Sequence, residues 1–194
     1  ALFFLYVERI SKLKLNTIIT NITSLGYVIP GAVIGLAVIL LFTQFPLFND
    51  HLLVGSFFVL IYAYVFRFLA VGKSPIKSSL DKQPKAFEDT SKVLGVSSFK
   101  ALRTIHLPLN KMALVIAFIV TFIDLLKELP ITLILRPFNF DTLATQTYEF
   151  AVEEMLKASS IYSLMIIVIG SVLLILLKYI TNKQIHAFRS FKSN

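Results

Sequence analysis

Long apolar runs separated by charged segments constrain the fold of this chain more than any other feature. A helix needs about 20 mostly apolar residues to cross the hydrocarbon core of a bilayer. Four runs of that kind cover residues 24–45, 52–71, 112–135 and 161–180, and a shorter one covers residues 1–7. With 56% hydrophobic residues among 194, the chain has more apolar surface than a soluble domain of this size can bury. We therefore expect an all-α, polytopic membrane helical bundle.

The chain begins inside an apolar run. Its first residue is Ala1, and no basic segment precedes residues 1–7 as it would in a signal peptide. We interpret residues 1–7 as the end of a span that starts upstream. The expectation is a fragment that forms one transmembrane domain over residues 1–194, with about five spans of which the first is partial.

The basic residues lie in three segments between the apolar runs, and this distribution predicts the orientation. The segments contain Arg9, Lys12 and Lys14; Lys73, Lys77, Lys82, Lys85, Lys92, Lys100, Arg103 and Lys111; and Lys178, Lys183, Arg189 and Lys192. Lys and Arg favour the cytoplasmic side, so five alternating spans place all three segments and the C-terminus there. Only Lys127, Arg136 and Lys157 lie outside this set, apart from Arg67, which we expect to extend from the last turns of its span to the cytoplasmic surface. Membrane topology, rather than nucleic-acid binding, thus accounts for the net charge of +8.

Catalytic and cofactor chemistry find little support in the sequence. Cysteine is absent, and His51, His106 and His186 are scattered without the spacing of metal ligands. The tripeptide that starts at Gly72 looks like the end of a phosphate-binding loop, but Arg67 occupies the position of the required first glycine. We expect no catalytic residues, no cofactor and no ATP hydrolysis by this chain.

Residues 84–109 carry local signals for two short helices between the third and fourth spans. The first is predicted to run from after Pro84 to Leu94, where Gly95 can adopt the left-handed conformation that ends a helix. Ser97 or Ser98 can cap the second. On that helix Phe99, Leu102 and Ile105 share one face, and Pro108 is expected to end it. One interpretation is an amphipathic segment on the membrane surface, and the other is a docking loop.

The docking interpretation rests on a resemblance to the loop that marks the membrane subunits of bacterial ABC importers. The matching positions are Asp89, Thr90, Ser91, Gly95, Ile105, Leu107 and Pro108. Asp replaces the usual Glu and Thr-Ser the usual Ala-Ala, while Glu88 adds a second carboxylate. The resemblance implies a permease whose loop fits a cleft on a separate cytoplasmic ATPase dimer. The residues it assigns to ATPase coupling are Glu88, Asp89, Gly95, Phe99, Leu102, Ile105, Leu107 and Pro108.

The fourth apolar run contains charges at membrane depth. Asp124, Lys127 and Glu128 can lie along one helical face, and Pro130 is expected to bend or break the helix next to them. Such charges are costly unless they are paired or face water. They are either an internal ion pair that fixes helix packing or a polar lining of a translocation path.

A second resemblance narrows the permease class. The runs 124–130 and 135–145, together with Tyr148 and Glu149, resemble the corresponding part of ferric-iron importer permeases, some of which carry two permease halves in one chain. This resemblance implies import of ferric iron delivered by a periplasmic solute-binding protein, through a pathway completed by a second permease half or subunit in the bacterial inner membrane. Thiamine and phosphonate importers share parts of the run and remain alternatives, as does a secondary transporter powered through Asp124 and Glu128.

The predicted outer segments are acidic. They contain Asp50, Asp141, Glu149, Glu153 and Glu154. Carboxylates and the phenol of Tyr148 are the oxygen ligands that a hard cation such as ferric iron prefers. We favour a surface that docks the binding protein, formed by Asp141, Glu149, Glu153 and Glu154, over a metal site. Gly31 and Gly35, four residues apart, are expected to allow close helix packing in the second span.

Overall fold

The computed structural model describes residues 1–11, 14–44 and 55–192, and the regular elements in these residues are helical, as predicted. They are α1 (Leu2–Ile10), α2 (Lys14–Leu25), α3 (Gly31–Gln44), α4 (Phe57–Asp81), α5 (Ala86–Val93), α6 (Ser98–Ala101), a π-helical turn (Leu102–His106), α7 (Leu107–Leu109), α8 (Lys111–Leu126), α9 (Pro130–Leu135), α10 (Leu143–Val152) and α11 (Leu156–Lys192). Lys12, Asp50, His51 and the predicted span ends at 45 and 52–54 lie outside the described residues. The side chains of Lys14, Lys183, His186, Arg189 and Lys192 do so as well.

Helix α4 is the centre of the bundle. Its start is fixed by Ser56, whose hydroxyl accepts the backbone N–H of Val59 at 3.5 Å. The helix continues for 25 residues through Pro75 to Asp81, a length of about 37 Å at 1.5 Å per residue. Helices α1, α2, α3, α8 and α9 all pack against it.

Two apolar clusters hold the bundle together. The first joins α3, α4 and α9 and consists of Ile34, Val38, Phe42, Val59, Leu60, Ala63, Ile131 and Leu135. The second joins α1, α4 and α8 and consists of Leu5, Ile76, Leu80 and Ala117. The first cluster lies beside the broken part of the fourth predicted span, and the second lies below residues 84–109. Each candidate region therefore rests on its own packed layer.

The predicted span 24–45 is interrupted in the structure. Helix α2 ends at Leu25, and α3 begins at Gly31, with the carbonyl of Pro30 accepting the backbone N–H of Ile34 at 3.2 Å. The apolar pattern did not reveal this break because the turn between the helices is itself largely apolar. At 14 residues, α3 is about 21 Å long, which is shorter than the hydrocarbon core of a bilayer.

Helix α4 is longer than the third predicted span, which ends at residue 71. It continues to Asp81, so Lys73 is a buried helical residue and not part of a loop. The ammonium group of Lys73 donates to the carbonyl of Thr20 and the hydroxyl of Ser24, both on α2. These oxygens satisfy the donors that water would otherwise satisfy, which makes burial of the charge tolerable.

The last two predicted spans differ in continuity. Residues 112–135 form α8 and α9 with a break at 127–129, whereas 161–180 lie inside the longer helix α11. Among the described residues, α4 and α11 are long and apolar enough to cross a bilayer, and residues 98–109 with α8, bent by 72°, give a third candidate. Helix α11 packs against α10 and α8 and leaves most of its apolar surface exposed on this chain.

Candidate functional site

Residues 84–109, the coupling segment, form two helices joined at Gly95, as predicted. The N–H of Val96 donates to the carbonyl of Ser91 at 2.9 Å, and the N–H of Gly95 donates to that of Lys92 at 3.0 Å. This pair of bonds is the Schellman pattern that ends a helix. It requires positive φ at Gly95, where φ is +67°, a conformation that costs residues with a Cβ atom about 1–2 kcal/mol.

The second helix departs from the prediction after one turn. Ser97 caps it by accepting the N–H of Lys100 at 3.4 Å, but the α-helix changes to a π-helical turn after Ala101. Pro108 does not end the helix, since α7 continues through it and the chain bends by 72° only at Asn110, before α8. The wider turn ahead of Pro108 relieves the clash of its ring with the preceding turn.

The outer side of the coupling segment exposes apolar side chains. Val93, Leu94 and Phe99 are 87%, 72% and 68% exposed. Leu102 and Ile105 are half-buried, so the predicted face of Phe99, Leu102 and Ile105 is not uniform. The π-helical turn is the reason, because it shifts the residues after Ala101 away from α-helical spacing. Leu107 and Pro108 are exposed at the end of the segment.

The two neighbouring carboxylates of the segment point in opposite directions. Asp89 is exposed, whereas Glu88 is 7% exposed and faces the bundle. The Glu88 carboxylate lies 2.7 Å from Nε of Arg9, a residue of α1. Glu88, which the resemblance assigns to ATPase coupling, is thus buried against α1 and is not part of the exposed surface of the segment. The Arg9 guanidinium supplies the counter-charge that offsets the lost hydration of this buried carboxylate.

Arg9 binds several segments at once. Its Nη2 donates to the carbonyl of Gln83 at 2.6 Å, and its Nη1 donates to the carbonyl of Leu80 at the end of α4. The planar guanidinium thus connects α1, α4 and α5. Sequence reasoning used Arg9 only to orient the chain. The sequence did contain a signal for this role. Arg9 follows the apolar run 1–7 and Glu8, and the rest of its short helix has little polar character.

His106 closes the buried cluster from the other side. It is fully buried, with Nε2 3.5 Å from Glu88 and Nδ1 3.1 Å from Oε1 of Gln83. The ring of Tyr6 packs on it at 4.7 Å between centroids. The side-chain amide of Asn110 donates to the carbonyl of His106 at 2.7 Å. His106 lies between Ile105 and Leu107 of the importer-type loop, at a position where that loop specifies no residue type. The resemblance therefore makes no prediction for it.

An open apolar cavity of about 260 Å³ separates α1 from the second helix of the segment. Phe3 and Tyr6 line it from α1, and Phe99 and Leu102 line it from the coupling segment. The hydroxyl of Tyr6 donates to the carbonyl of Ser98 at 3.0 Å and bridges the two walls. One side of the Phe99 side chain therefore faces this cavity, and the rest of the side chain is exposed.

The charges of the fourth predicted span form two separate pairs. The Glu128 carboxylate lies 3.2 Å from Nε of Arg67 on α4, and its other oxygen accepts the N–H of Ile131 at 3.1 Å. Asp124 lies 2.9 Å from Lys127, whose side chain is 64% exposed. The expectation of one shared face is wrong because α8 ends at Leu126, which removes the helical spacing that would place Glu128 above Asp124.

Two further expectations about this region have clear outcomes. Pro130 does break the helix, since it stands in the first turn of α9 after the interruption at 127–129. Arg67, expected in the last turns of its span, lies in the middle of α4 and also donates to the carbonyl of Ile29 at 3.0 Å. Gly31 makes room for the pair, because a Cβ there would lie 2.7 Å from the Glu128 carboxylate.

Some of the acidic residues predicted for the outer side are held in ion pairs, and others are exposed. Arg136 forms ion pairs with Asp141, which precedes α10, and with Glu149 on α10, while Thr142 caps the start of that helix. Glu153 and Glu154 are exposed just after α10, where Glu154 has φ of +60°. Asp141 and Glu149 are thus structural ion-pair partners, and Glu153 and Glu154 are the accessible carboxylates of the set.

Residues 5–186 match the family described as "Binding-protein-dependent transport system inner membrane component". The chain belongs to this family. The resemblance of the coupling segment to importer permeases is thereby confirmed. A permease of this family is a membrane protein of a transport system and not a catalytic enzyme.

Relatives within the permease family carry names that refer to iron. The Fe(3+)-transport system permease protein FbpB 2 of Haemophilus influenzae is 29% identical over 160 residues, which are 82% of this chain and 31% of that protein. The ferric transport system permease protein FbpB of Actinobacillus pleuropneumoniae is 30% identical over 102 residues, which are 53% of this chain and 14% of that protein. The chain therefore covers less than a third of the length of these relatives.

Proposed function

We propose that this chain is part of the transmembrane permease of an ATP-driven importer that moves ferric iron into the cytoplasm. Its membership of the binding-protein-dependent family supports the importer class, and the names of the relatives support the substrate. The iron is delivered by a periplasmic binding protein. A second permease half completes the pathway, either fused to this one or as a separate subunit, and the exposed apolar surface of α11 contacts it or lipid.

The outer side of the coupling segment is the observation that carries this proposal. Val93, Leu94 and Phe99 are exposed, while Glu88 and His106 hold the segment to the bundle from below. A monomeric surface rarely presents such side chains on a rigid support without a partner. The partner is the cleft of an ATPase dimer. The residues that contact this cleft are Phe99, Leu102, Ile105, Leu107, Pro108 and the exposed Asp89.

This assignment places the coupling segment and the C-terminus in the cytoplasm. Basic residues outnumber acidic ones among the exposed charged side chains of the segment and its flanks, as the positive-inside rule requires. They are Lys82, Lys85, Lys92, Lys100, Arg103 and Lys111. Glu153 and Glu154 then lie on the periplasmic side, beside Asp141 and Glu149, where they dock the binding protein.

The translocation path passes the break between α8 and α9. Asp124, Lys127 and Glu128 surround this break, and Pro130 starts the helix that follows it. Non-helical backbone at membrane depth is tolerated where it is buried in protein or lines a water-filled cavity. When the ATPase closes on ATP, the coupling segment moves and the helices around this break open the path to the periplasm. A secondary transporter would need a carboxylate that is free to bind an ion, and both Asp124 and Glu128 are paired with cations.

The experiment replaces Phe99 by Asp in the full-length permease, with Phe138→Asp as the matched control. Phe138 is 94% exposed, but it lies between α9 and α10 on the proposed periplasmic side. We expect Phe99→Asp to abolish co-purification of the ATPase and Phe138→Asp to leave it intact, with both variants inserted in the membrane. Retention of the ATPase by Phe99→Asp would contradict the docking role.

The substrate is tested separately in proteoliposomes that contain the permease, the ATPase and the binding protein. We expect uptake of radiolabelled ferric iron when ATP is supplied, and no uptake of thiamine or phosphonate. Uptake of either alternative in place of iron would reassign the substrate without affecting the importer class.

A further inference from the structure

We infer that Glu88 and Arg9 are positioning residues that transmit movement of the coupling segment to the membrane helices. This inference rests on the proposed docking of an ATPase, and it assigns to these two side chains a role other than contact with that ATPase. Glu88 belongs to the segment and Arg9 to α1, and their ion pair at 2.7 Å joins the two elements through charged side chains.

The geometry of Arg9 makes the link stiff. Its guanidinium donates to the carbonyls of Leu80 and Gln83 and to Oε2 of Glu88, the last at 3.4 Å. Five N–H groups in one rigid plane keep these acceptors in a fixed arrangement. A displacement of α5 therefore pulls on α1 and on the C-terminal end of α4 together.

The same carboxylate reaches the start of α8 through His106. The imidazole lies 3.5 Å from Glu88, and the carbonyl of His106 accepts the side-chain amide of Asn110, which immediately precedes α8. Helix α8 leads to the break at 127–129 and the proposed path. The hydrogen bond from Asn110 to His106 is shielded from water, which strengthens it, whereas Glu88 and His106 are in close contact without a hydrogen bond between them.

The contrast with Asp89 shows that the orientation is specific. Two consecutive carboxylates occupy α5, and only Glu88 is buried and paired with Arg9, whereas Asp89 is exposed. The exposed carboxylate of Asp89 can contact a partner protein. The buried carboxylate of Glu88 instead binds the segment to the bundle.

The test compares three isosteric changes in the full-length permease, reconstituted with its ATPase and binding protein. Glu88→Gln should retain ATPase binding but lower the number of iron ions taken up per ATP by about tenfold, the change expected when one charge-assisted hydrogen bond is weakened. Asp89→Asn should weaken ATPase binding and keep uptake per ATP. Asp81→Asn, at an exposed carboxylate at the end of α4, should change neither.

Arg9→Lys is the second test of the link. It keeps the positive charge but loses the planar fork, so uptake per ATP should fall although the protein inserts normally. The inference is overturned if Glu88→Gln and Arg9→Lys keep the wild-type uptake per ATP, or if Glu88→Gln loses ATPase binding as Asp89→Asn does. Failure of the wild-type permease to bind the ATPase would instead contradict the proposed function.

Discussion

The Glu128 carboxylate lies 3.2 Å from the guanidinium of Arg67, and the pair spans from the break after α8 to the middle of α4. Glu128 is 6% exposed and also accepts the N–H of Ile131. One side chain thus neutralises a buried cation and satisfies a free donor in the first turn of α9. This relationship fixes the geometry of the broken span.

Glu128→Gln should destabilise the full-length permease by about 3 kcal/mol, because it removes the counter-charge of Arg67, whose side chain is only 17% exposed. The measurement is thermal unfolding in detergent. Asp124→Asn is the matched control, since its partner Lys127 is largely exposed and an exposed pair contributes about 0–1 kcal/mol. Equal losses in the two variants would contradict the distinction between the pairs.

Gly31→Ala should destabilise the protein through the same pair. A Cβ at residue 31 would lie 2.7 Å from the Glu128 carboxylate and 3.0 Å from Nη1 of Arg67, so the two side chains must separate. Shortening Glu128 to Ala removes the nearer contact and releases the Arg67 side chain to move away, so the added cost of Gly31→Ala should then be small. A double-mutant cycle measures this dependence. If the losses of stability in the two single variants are additive, the effect of Gly31→Ala does not depend on the Glu128 side chain.

A cysteine at residue 124 should react with a small charged thiol reagent if Asp124 lines a water-filled path. The comparison is Phe118→Cys, at a highly exposed position of α8 where lipid keeps the thiol protonated and unreactive. Both are made in a full-length protein without other cysteines. We expect residue 124 to react faster, and its rate to change when the ATPase is trapped with nucleotide. Equal, nucleotide-independent rates would exclude the lining role.

Gly95→Ala should loosen the coupling segment by about 1–2 kcal/mol, the cost of the left-handed conformation for a residue with a Cβ. Among the residues that the structure describes, none beyond the chain neighbours of Gly95 comes within 4 Å of the added Cβ, so the backbone alone is affected. Hydrogen exchange at the amides of Gly95 and Val96 reports the loss, because both donate in the helix-ending pattern. Gly95→Asn should exchange more slowly than the Ala variant, since Asn tolerates this conformation; the reverse order would contradict the assignment.

Local patterns predicted the coupling segment well and the membrane helices less well. Gly95 and Ser97 act within one or two turns of their own position, so their roles follow from sequence. The end of α2 at Leu25 and the continuation of α4 beyond Val71 depend on packing. Lys73 was assigned to a loop because a charged residue after an apolar run normally ends it, but oxygens of α2 make its burial possible.

The sequence by itself determined that this is an all-α membrane protein with the importer-type segment at 84–109, because apolar periodicity and the motif are properties of neighbouring residues. Only the tertiary structure decided which charges meet. Glu88 pairs with Arg9 and Glu128 with Arg67, each across a long stretch of chain. Either carboxylate has nearer cations in the sequence, and helix packing selects the partner, since a buried charge is stable only where the fold brings a counter-charge within reach.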